Sequence, residues 1–573
     1  MEQQTKNCQN CKNQFVIESD DFAFYEKMSV PPPTWCPECR MQRRFMFRNE
    51  RYLYRRKCDA TQKDIFSMFS PEAPVRVYDR DYWWSDAWDA SEYGRDYDFS
   101  RPFFEQFQEL MRVVPWFSRS ANEPLTNCDY CMNIGWAKDC YLVFNASNDE
   151  NCYYSIGIEE SKDSFDSLYL RACELCSNSA FLTRCYSSHF SVDCEDSHNL
   201  YFCKSCSNCT DCFGCVNLRN KQYHIFNQPY SKEEYEKKLK GMGLSSYRGV
   251  EELRSKFRKL LLDYPHRASK NLINNNVTGE YIHHSKNVVN GYLVDGVEDS
   301  KYVQFLRTVP SARDCYDYSL FGANSEMVYE SVVVGMDAAR VKFSAYLYPS
   351  PQDIEYSIAC TSSRNLFGCM GLKKKEYCIL NKQYTQEEYE KLLPKIIQHM
   401  SDMPYTDKHG RVYKYGEFFP PEISPFAYNE TINTDMFPLS KDKIEADGLR
   451  WANPAERNYQ ATITAKDIPD DIRDASDDIA KETIGCEHNG ACEHNCSTVF
   501  RIIPNEFAFY RRMNLPLPRL CFSCRHADRL RYQSMPRLWK RSCAKCNAAI
   551  QTSYAPDRPE IVYCESCYNA EVA

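Results

Sequence analysis

The two ends of the chain are copies of one another, and this duplication limits the fold more than any other feature. Cys11, Cys36, Cys39 and Cys58 recur at a constant offset of 485 as Cys496, Cys521, Cys524 and Cys543, with 14 identities in 34 ungapped positions between 11 and 44. A second duplication lies inside the first. At an offset of 154, residues 212–237 match 366–391 at 14 of 26 positions. In each inner copy a hydroxyl residue precedes a Glu by three places, Ser231 with Glu234 and Thr385 with Glu388, the pattern of a capping box that opens a helix. Each inner copy therefore closes with a helix.

Upstream of the first closing helix a short phrase recurs, with Cys or Ser at 128, 140, 152, 164, 176, 185, 194 and 206, spaced 9 to 12 apart. A small residue recurring without helical period suits stacked short strands, each coil burying its small residue over the last. The spacing predicts a β-solenoid, with two phrases to a coil, and a looser second copy over about 285–369. The expected fold is mainly β, zinc ribbons at both ends bracketing a duplicated β-solenoid with helical caps. Its boundaries are an N-terminal zinc ribbon (1–60), a degenerate metal-free ribbon and aromatic linker (61–98), a helical linker (99–126) and a first solenoid unit (127–265). A second unit (266–401), a connector (402–485) and two C-terminal ribbons (486–540 and 541–573) follow. The linker helix is expected behind Ser100, and the acidic run 467–482 reads as solvated.

Cys8, Cys11, Cys36 and Cys39 form two CxxC pairs 24 residues apart, a spacing that offers four soft thiolates to one tetrahedral Zn²⁺. The C-terminal counterpart is Cys492, Cys496, Cys521 and Cys524, in which His494 is an alternative to Cys492 and in which Cys486 and His488 are spare. Cys543, Cys546, Cys564 and Cys567 make a further pair of CxxC turns. Their N-terminal equivalents are Cys58, Thr61, Asp79 and Tyr82, leaving one ligand, so that ribbon is expected to fold without metal. Three zinc ions are expected. Cys203, Cys206, Cys209, Cys212 and Cys215 resemble cluster spacing, but the 154 offset replaces them by Ser357, Cys360, Ser363, Leu366 and Cys369, so they are read as small buried residues. The 31 cysteines of 573 residues, with no secretion signal at the N-terminus, point to reduced thiols in the cytoplasm.

Both modules run into basic, aromatic segments. Residues 40–57 hold eight Arg or Lys against Glu50, and 511–545 hold ten against Asp528. Arg43, Arg44, Arg55, Arg56, Arg529 and Arg531 are the candidate nucleic-acid contacts, since Arg pairs with phosphate and stacks on bases. The competing reading makes these arginines partners of the thiolate sites and of the acidic stretches 79–98 and 467–482. Trp83, Trp84 and Trp88 read as packing against a solenoid end, with a base-stacking platform as the alternative. The net charge of −8 excludes a protein coated uniformly in basic residues. With no HExxH, Walker A or GxSxG motif, no catalytic residue is assigned.

The phrases CPECRMQRRFMFRNERYLYRRKCD, DYDFSRPFFEQFQEL, CFGCVNLRNKQY and RMNLPLPRLCFSCRH together resemble a family of zinc-ribbon proteins with a cysteine-rich repeat core from ultra-small, candidate-phylum bacteria. The resemblance implies zinc and cytoplasmic residence, and carries no substrate. The leading functional expectation is an RNA- or ribosome-associated zinc-binding protein. A protein-interaction scaffold without nucleic acid is the alternative and a solenoid-based hydrolase the third reading; no membrane partner is expected.

Overall fold

The computed structural model describes residues 2–453 and 459–572. The chain is mainly β, and two solenoids form its body. In the first, from Ala121–Thr126 to Gln222–Ile225, parallel bridges join residues twelve positions apart once a register shift in the first strand is passed, and one line of bridges runs Asp129, Tyr141, Tyr153, Phe165, Ser177, His189, Tyr201, Phe213, Ile225. Each coil is thus four triplets. The first residue of a triplet points inward, the second bridges to the next coil, and the third turns the corner in the left-handed region, as Asn127, Tyr130, Asn133, Trp136 and Asp139 do in succession. Asn and Asp recur at these corners because they tolerate that conformation best after Gly. One phrase therefore makes a whole coil rather than half of one, since a corner at every third residue closes the circuit in twelve.

All eight recurring Cys and Ser positions face inward. The reason is hydrogen bonding as much as size. Ser191 donates to the His189 carbonyl (3.0 Å) and accepts from the Cys203 amide of the next coil (3.1 Å). Cys203 in turn donates to the Tyr201 carbonyl. A hydroxyl or thiol thus satisfies backbone groups that the ladder leaves over inside a buried core.

The second solenoid, from Asn275–His283 to Glu376–Ile379, advances by 11 to 15 residues per coil. Its uneven register explains the looser repeat, and one interior column is aliphatic, with Val328, Val341, Ile354 and Leu366 above one another. Helices Lys232–Lys240 and Gln386–Asp402 close the two units, each with its capping box formed. The linker helix is Phe103–Val113, capped by Pro102; Ser100 instead bonds Asp98.

Each terminal module repeats a hairpin and two helices. The N-terminal one has Gln4–Asn7 paired with Gln14–Ile17, then Asp21–Lys27 and Pro37–Phe45. The C-terminal one has Ile484–Gly485 paired with Val499–Phe500, then Pro504–Met513 and Phe522–Leu530. The connector is no loose tether. Phe418, Phe419 and Phe426 are buried, with Phe419 stacked on Phe107 at 4.9 Å. The expectation of a solvated acidic run at 467–482 fails for a physical reason: Ile468, Ile472, Ala475 and Ile479 fall at helical spacing between the acids and are buried with Ile502 and Phe507. Residues 454–458 of the connector lie outside the described residues. No helix among the described residues is long and apolar enough to cross a membrane.

The interior hydrogen bonds make a testable demand. Ser191→Ala should cost about 1–3 kcal/mol in chemical denaturation, because the Cys203 amide loses its acceptor in a buried core. Ser191→Cys should restore most of it.

Candidate metal centres and their docking on the solenoids

Four thiols in each of three modules come together closely enough to hold one ion: Cys8, Cys11, Cys36 and Cys39; Cys486, Cys496, Cys521 and Cys524; and Cys543, Cys546, Cys564 and Cys567. Tetrahedral sulfur at 2.3 Å from Zn²⁺ has edges of about 3.8 Å. The observed separations fit, with Cys11–Cys36 at 3.8 Å, Cys496–Cys521 at 3.8 Å, Cys486–Cys524 at 3.9 Å and Cys546–Cys564 at 3.8 Å. Backbone amides prepare the same sulfur in each cluster. Cys36 N donates to Cys8 Sγ (3.2 Å), Cys521 N to Cys486 Sγ (3.3 Å) and Cys564 N to Cys543 Sγ (3.3 Å). Against the burial that would raise it, amides of Cys546, Cys564 and Lys545 bring the Cys543 thiol down to about 6.

The C-terminal cluster corrects the sequence reading. Cys486, set aside as spare, occupies the place expected of Cys492, and its hydrogen bond from Cys521 N marks it as the counterpart of Cys8. Cys492 lies beside the cluster with His488, its Sγ 3.6 Å from Cys524 Sγ. His494 is in neither group; its ring sits 6.1 Å from that of His488. Fixed CxxC spacing misled here, because ten positions separate Cys486 from Cys496 where three separate Cys8 from Cys11. The ligand-poor N-terminal ribbon keeps the hairpin Tyr54–Lys57 with Asp64–Ser67, and Cys58 Sγ still accepts an amide, from Asp79 (3.1 Å). Among the described residues, no ligand group of this closeness occurs inside the solenoids.

The helix that carries two thiols in each terminal module also carries arginines. Cys36 caps Pro37–Phe45, and Arg40 and Arg44 extend from it into the second solenoid, where both grip Asp317: Arg40 at 2.7 Å on Oδ2 and Arg44 at 3.0 Å on Oδ1. Cys521 caps Phe522–Leu530, and Arg525 and Arg529 grip Asp166 of the first solenoid in the same way, at 2.5 Å on Oδ2 and 3.0 Å on Oδ1. Arg43 joins Glu330 (2.5 Å) and Glu417 (2.8 Å). The aromatic contacts repeat as well, Phe24 stacking on Tyr316 at 3.8 Å and Phe509 on Phe165 at 3.9 Å.

These contacts decide the place of the six candidate nucleic-acid arginines. Arg43, Arg44 and Arg529 are fully enclosed ion-pair partners and reach no solvent phosphate. Arg56 bonds the Ser70 carbonyl and Asp59, Arg531 pairs with Asp528, and Arg55 is exposed over the Phe66 ring. The expected internal partners were the acidic stretches 79–98 and 467–482; the partners of Arg43, Arg44 and Arg529 are instead solenoid corner residues and Glu417. The tryptophans are also occupied. The Lys373 ammonium lies 4.6, 5.9 and 5.1 Å from the rings of Trp83, Trp84 and Trp88, which pack it against the second solenoid. Sequence reasoning missed Asp166, Asp317 and Glu330 because no local signal distinguishes one solenoid carboxylate from another.

A cavity of about 230 Å³ opens between the solenoids and the last module, lined by Arg171, Asp193, Lys270, Tyr281, Arg307 and Tyr554 among others. Asp193 is tied to Lys204 (2.7 Å), Lys270 (3.0 Å) and the Tyr281 hydroxyl (2.8 Å). Against burial, the two lysines hold it well below the usual carboxylate range, so it is a fixed anion rather than a proton acceptor. Glu280, beside Tyr281 on the strand Asn275–His283, is different: burial pushes its carboxyl up to about 7 against the pull of Lys270.

No protein-family model matches this chain, and no characterised protein matches it either. Among solved structures, a provisionally assigned acetyltransferase from Desulfovibrio desulfuricans G20 aligns at 11% identity over 51% of this chain and 75% of its own, with a TM-score of 0.11. That score carries no argument about fold or function.

Two outcomes follow from this geometry. Asp317→Ala should leave Arg40 and Arg44 buried without an anion, cost about 3–5 kcal/mol, and expose the N-terminal helices to limited proteolysis while the Cys8, Cys11, Cys36 and Cys39 thiols stay able to bind a metal ion. Glu280 binds its proton more tightly folded than unfolded, so its contribution is complete below its ordinary value of 4.5 and is lost as pH rises toward 7. Glu280→Gln should therefore raise the melting temperature at pH 8 relative to the parent and give little gain at pH 4.

Proposed function

We propose that this protein is a zinc-stabilised binding scaffold, in which metal ions at the three four-thiolate clusters fix terminal modules onto two solenoids, and the solenoid surface meets a protein partner. The observation that carries this reading is the fate of the basic segments: three of the six arginines that would have contacted RNA, Arg43, Arg44 and Arg529, are consumed inside the molecule by Glu330, Asp317 and Asp166. Zinc is favoured over other ions by four-thiolate donor sets at tetrahedral spacing. The quasi-linear coils offer an extended surface of the kind repeat proteins use for partners, and 31 free thiols suit a reducing cytoplasm. RNA association rests on Arg55 and Arg531 alone of the six. A hydrolytic role finds little support in the cavity, where Asp193 is neutralised by its lysines.

Elemental analysis and RNA titration test the proposal together. Protein purified without added metal should hold no fewer than three zinc ions, Cys39→Ser and Cys567→Ser should each lose one, and Cys58→Ser should lose none. Fluorescence anisotropy with single-stranded RNA should show no salt-sensitive binding. Binding that weakens steeply with salt, with a slope reduced by about 0.7 for each of Arg55→Gln and Arg531→Gln, would replace the scaffold by the RNA reading. Fewer than two zinc ions would defeat the metal reading.

A further inference from the structure

The C-terminal knuckle carries seven residues that its N-terminal copy lacks, since Cys486 and Cys496 are ten positions apart and Cys8 and Cys11 three. A loop that only closed the four-thiolate site would need none of them. The insertion delivers two more ligands to the same place. His488, Cys492 and Cys524 present ligand atoms all within 4.8 Å of one another, and Cys492 Sγ is 3.6 Å from Cys524 Sγ. His488 Nδ1 is buried without a hydrogen-bond partner, which is a cost unless the lone pair is used.

In the N-terminal cluster, Asn10 donates through Nδ2 to Cys39 Sγ (3.4 Å), easing the negative charge on the fourth sulfur. The residue equivalent to Asn10 is Asn495, and it has turned away to the Tyr52 hydroxyl (2.8 Å) and the Asn429 carbonyl (3.2 Å). Cys524, the equivalent of Cys39, thus lacks that donor and has Cys492 against it instead. Two sulfurs 3.6 Å apart lie close to the edge length of a zinc tetrahedron, so a single cation can take both as ligands.

We propose that the C-terminal module holds a second zinc ion, bound by His488 and Cys492 and sharing Cys524 as a bridging thiolate with the ion of Cys486, Cys496, Cys521 and Cys524. The bridge accounts for the missing donor, since Cys524 is neutralised by two cations rather than by an amide. Four thiolates around one Zn²⁺ carry a formal −2; the second ion with one further thiolate and a neutral imidazole brings the pair to −1. The second ion has three protein ligands, so its fourth position is open to water or a small anion, as in zinc sites that exchange ligands. This rests on the zinc reading of the neighbouring four-thiolate cluster.

The test is metal counting on the full chain, equilibrated with excess zinc and desalted, with ¹¹³Cd NMR of the cadmium-exchanged protein. The parent should hold four ions, and Cys492→Ser combined with His488→Ala should hold three, with the C-terminal helices still docked. The cadmium spectrum should show two mutually coupled resonances in the parent and lose that coupling in the double variant. Three ions in both proteins would overturn the second site while leaving the zinc reading intact. A parent count that Cys486→Ser leaves unchanged would also overturn it, because Cys492 would then be an alternative ligand to a single ion. Loss of metal from Cys39→Ser is the control, and its absence would instead mark failure of the zinc reading itself.

Discussion

Asp317 and Asp166 are the constraint on which the assembly depends. Each is a solenoid corner with its carboxylate fully enclosed, and each is held by two arginines that are themselves enclosed. An isolated buried charge costs several kcal/mol, and removing one member of such a group strands the others. Neither partner can therefore be buried alone, so module and solenoid are obliged to dock in one register. The stacked pairs Phe24–Tyr316 and Phe165–Phe509 place the same apolar contact beside each clamp. The N-terminal module docks on the second solenoid and the C-terminal module on the first, so the two docked pairs cross along the chain rather than following one another in tandem.

Thiol ligands and clamp share one helix. In each module a cysteine caps the helix and another follows one turn on, and the clamp arginines come one and five positions after the second cysteine, at Arg40 and Arg44 and at Arg525 and Arg529. Residues four apart share a helical face, so fixing the helix by its thiols aims both guanidinium groups at one carboxylate. The third cluster is placed differently. Its strand Val562–Tyr563 pairs with His266–Arg267, and Tyr568 bonds Asn217, which seats it where the two solenoids meet.

The repeat, the closing helices and most thiol ligands were legible in the sequence because each is a local pattern: a small residue at a fixed interval, a hydroxyl three before a Glu, a pair of cysteines one turn apart. The corner conformation at every third residue was legible only in part, since Tyr, Trp and Leu share those positions with Asn and Asp. Cys486 was missed because a seven-residue insertion moved it out of the CxxC pattern while the hydrogen bond from Cys521 kept its role. The basic segments misled for a deeper reason. A run of Arg looks the same whether it meets phosphate or a buried carboxylate, and the deciding residues, Asp166, Asp317 and Glu330, lie 273 to 363 positions away. Lys373 among Trp83, Trp84 and Trp88 is the same case, a cation supplied from within the chain.

The most direct test of the proposed link between metal and architecture is hydrogen exchange, followed by mass spectrometry, on the full chain loaded with zinc and again after chelation. The account predicts that amides of 36–45 and 504–530 lose protection together with the coils around Asp317 and Asp166, while the remaining coils of both solenoids stay protected. Helices that remain protected on the solenoids after the metal has gone would contradict it.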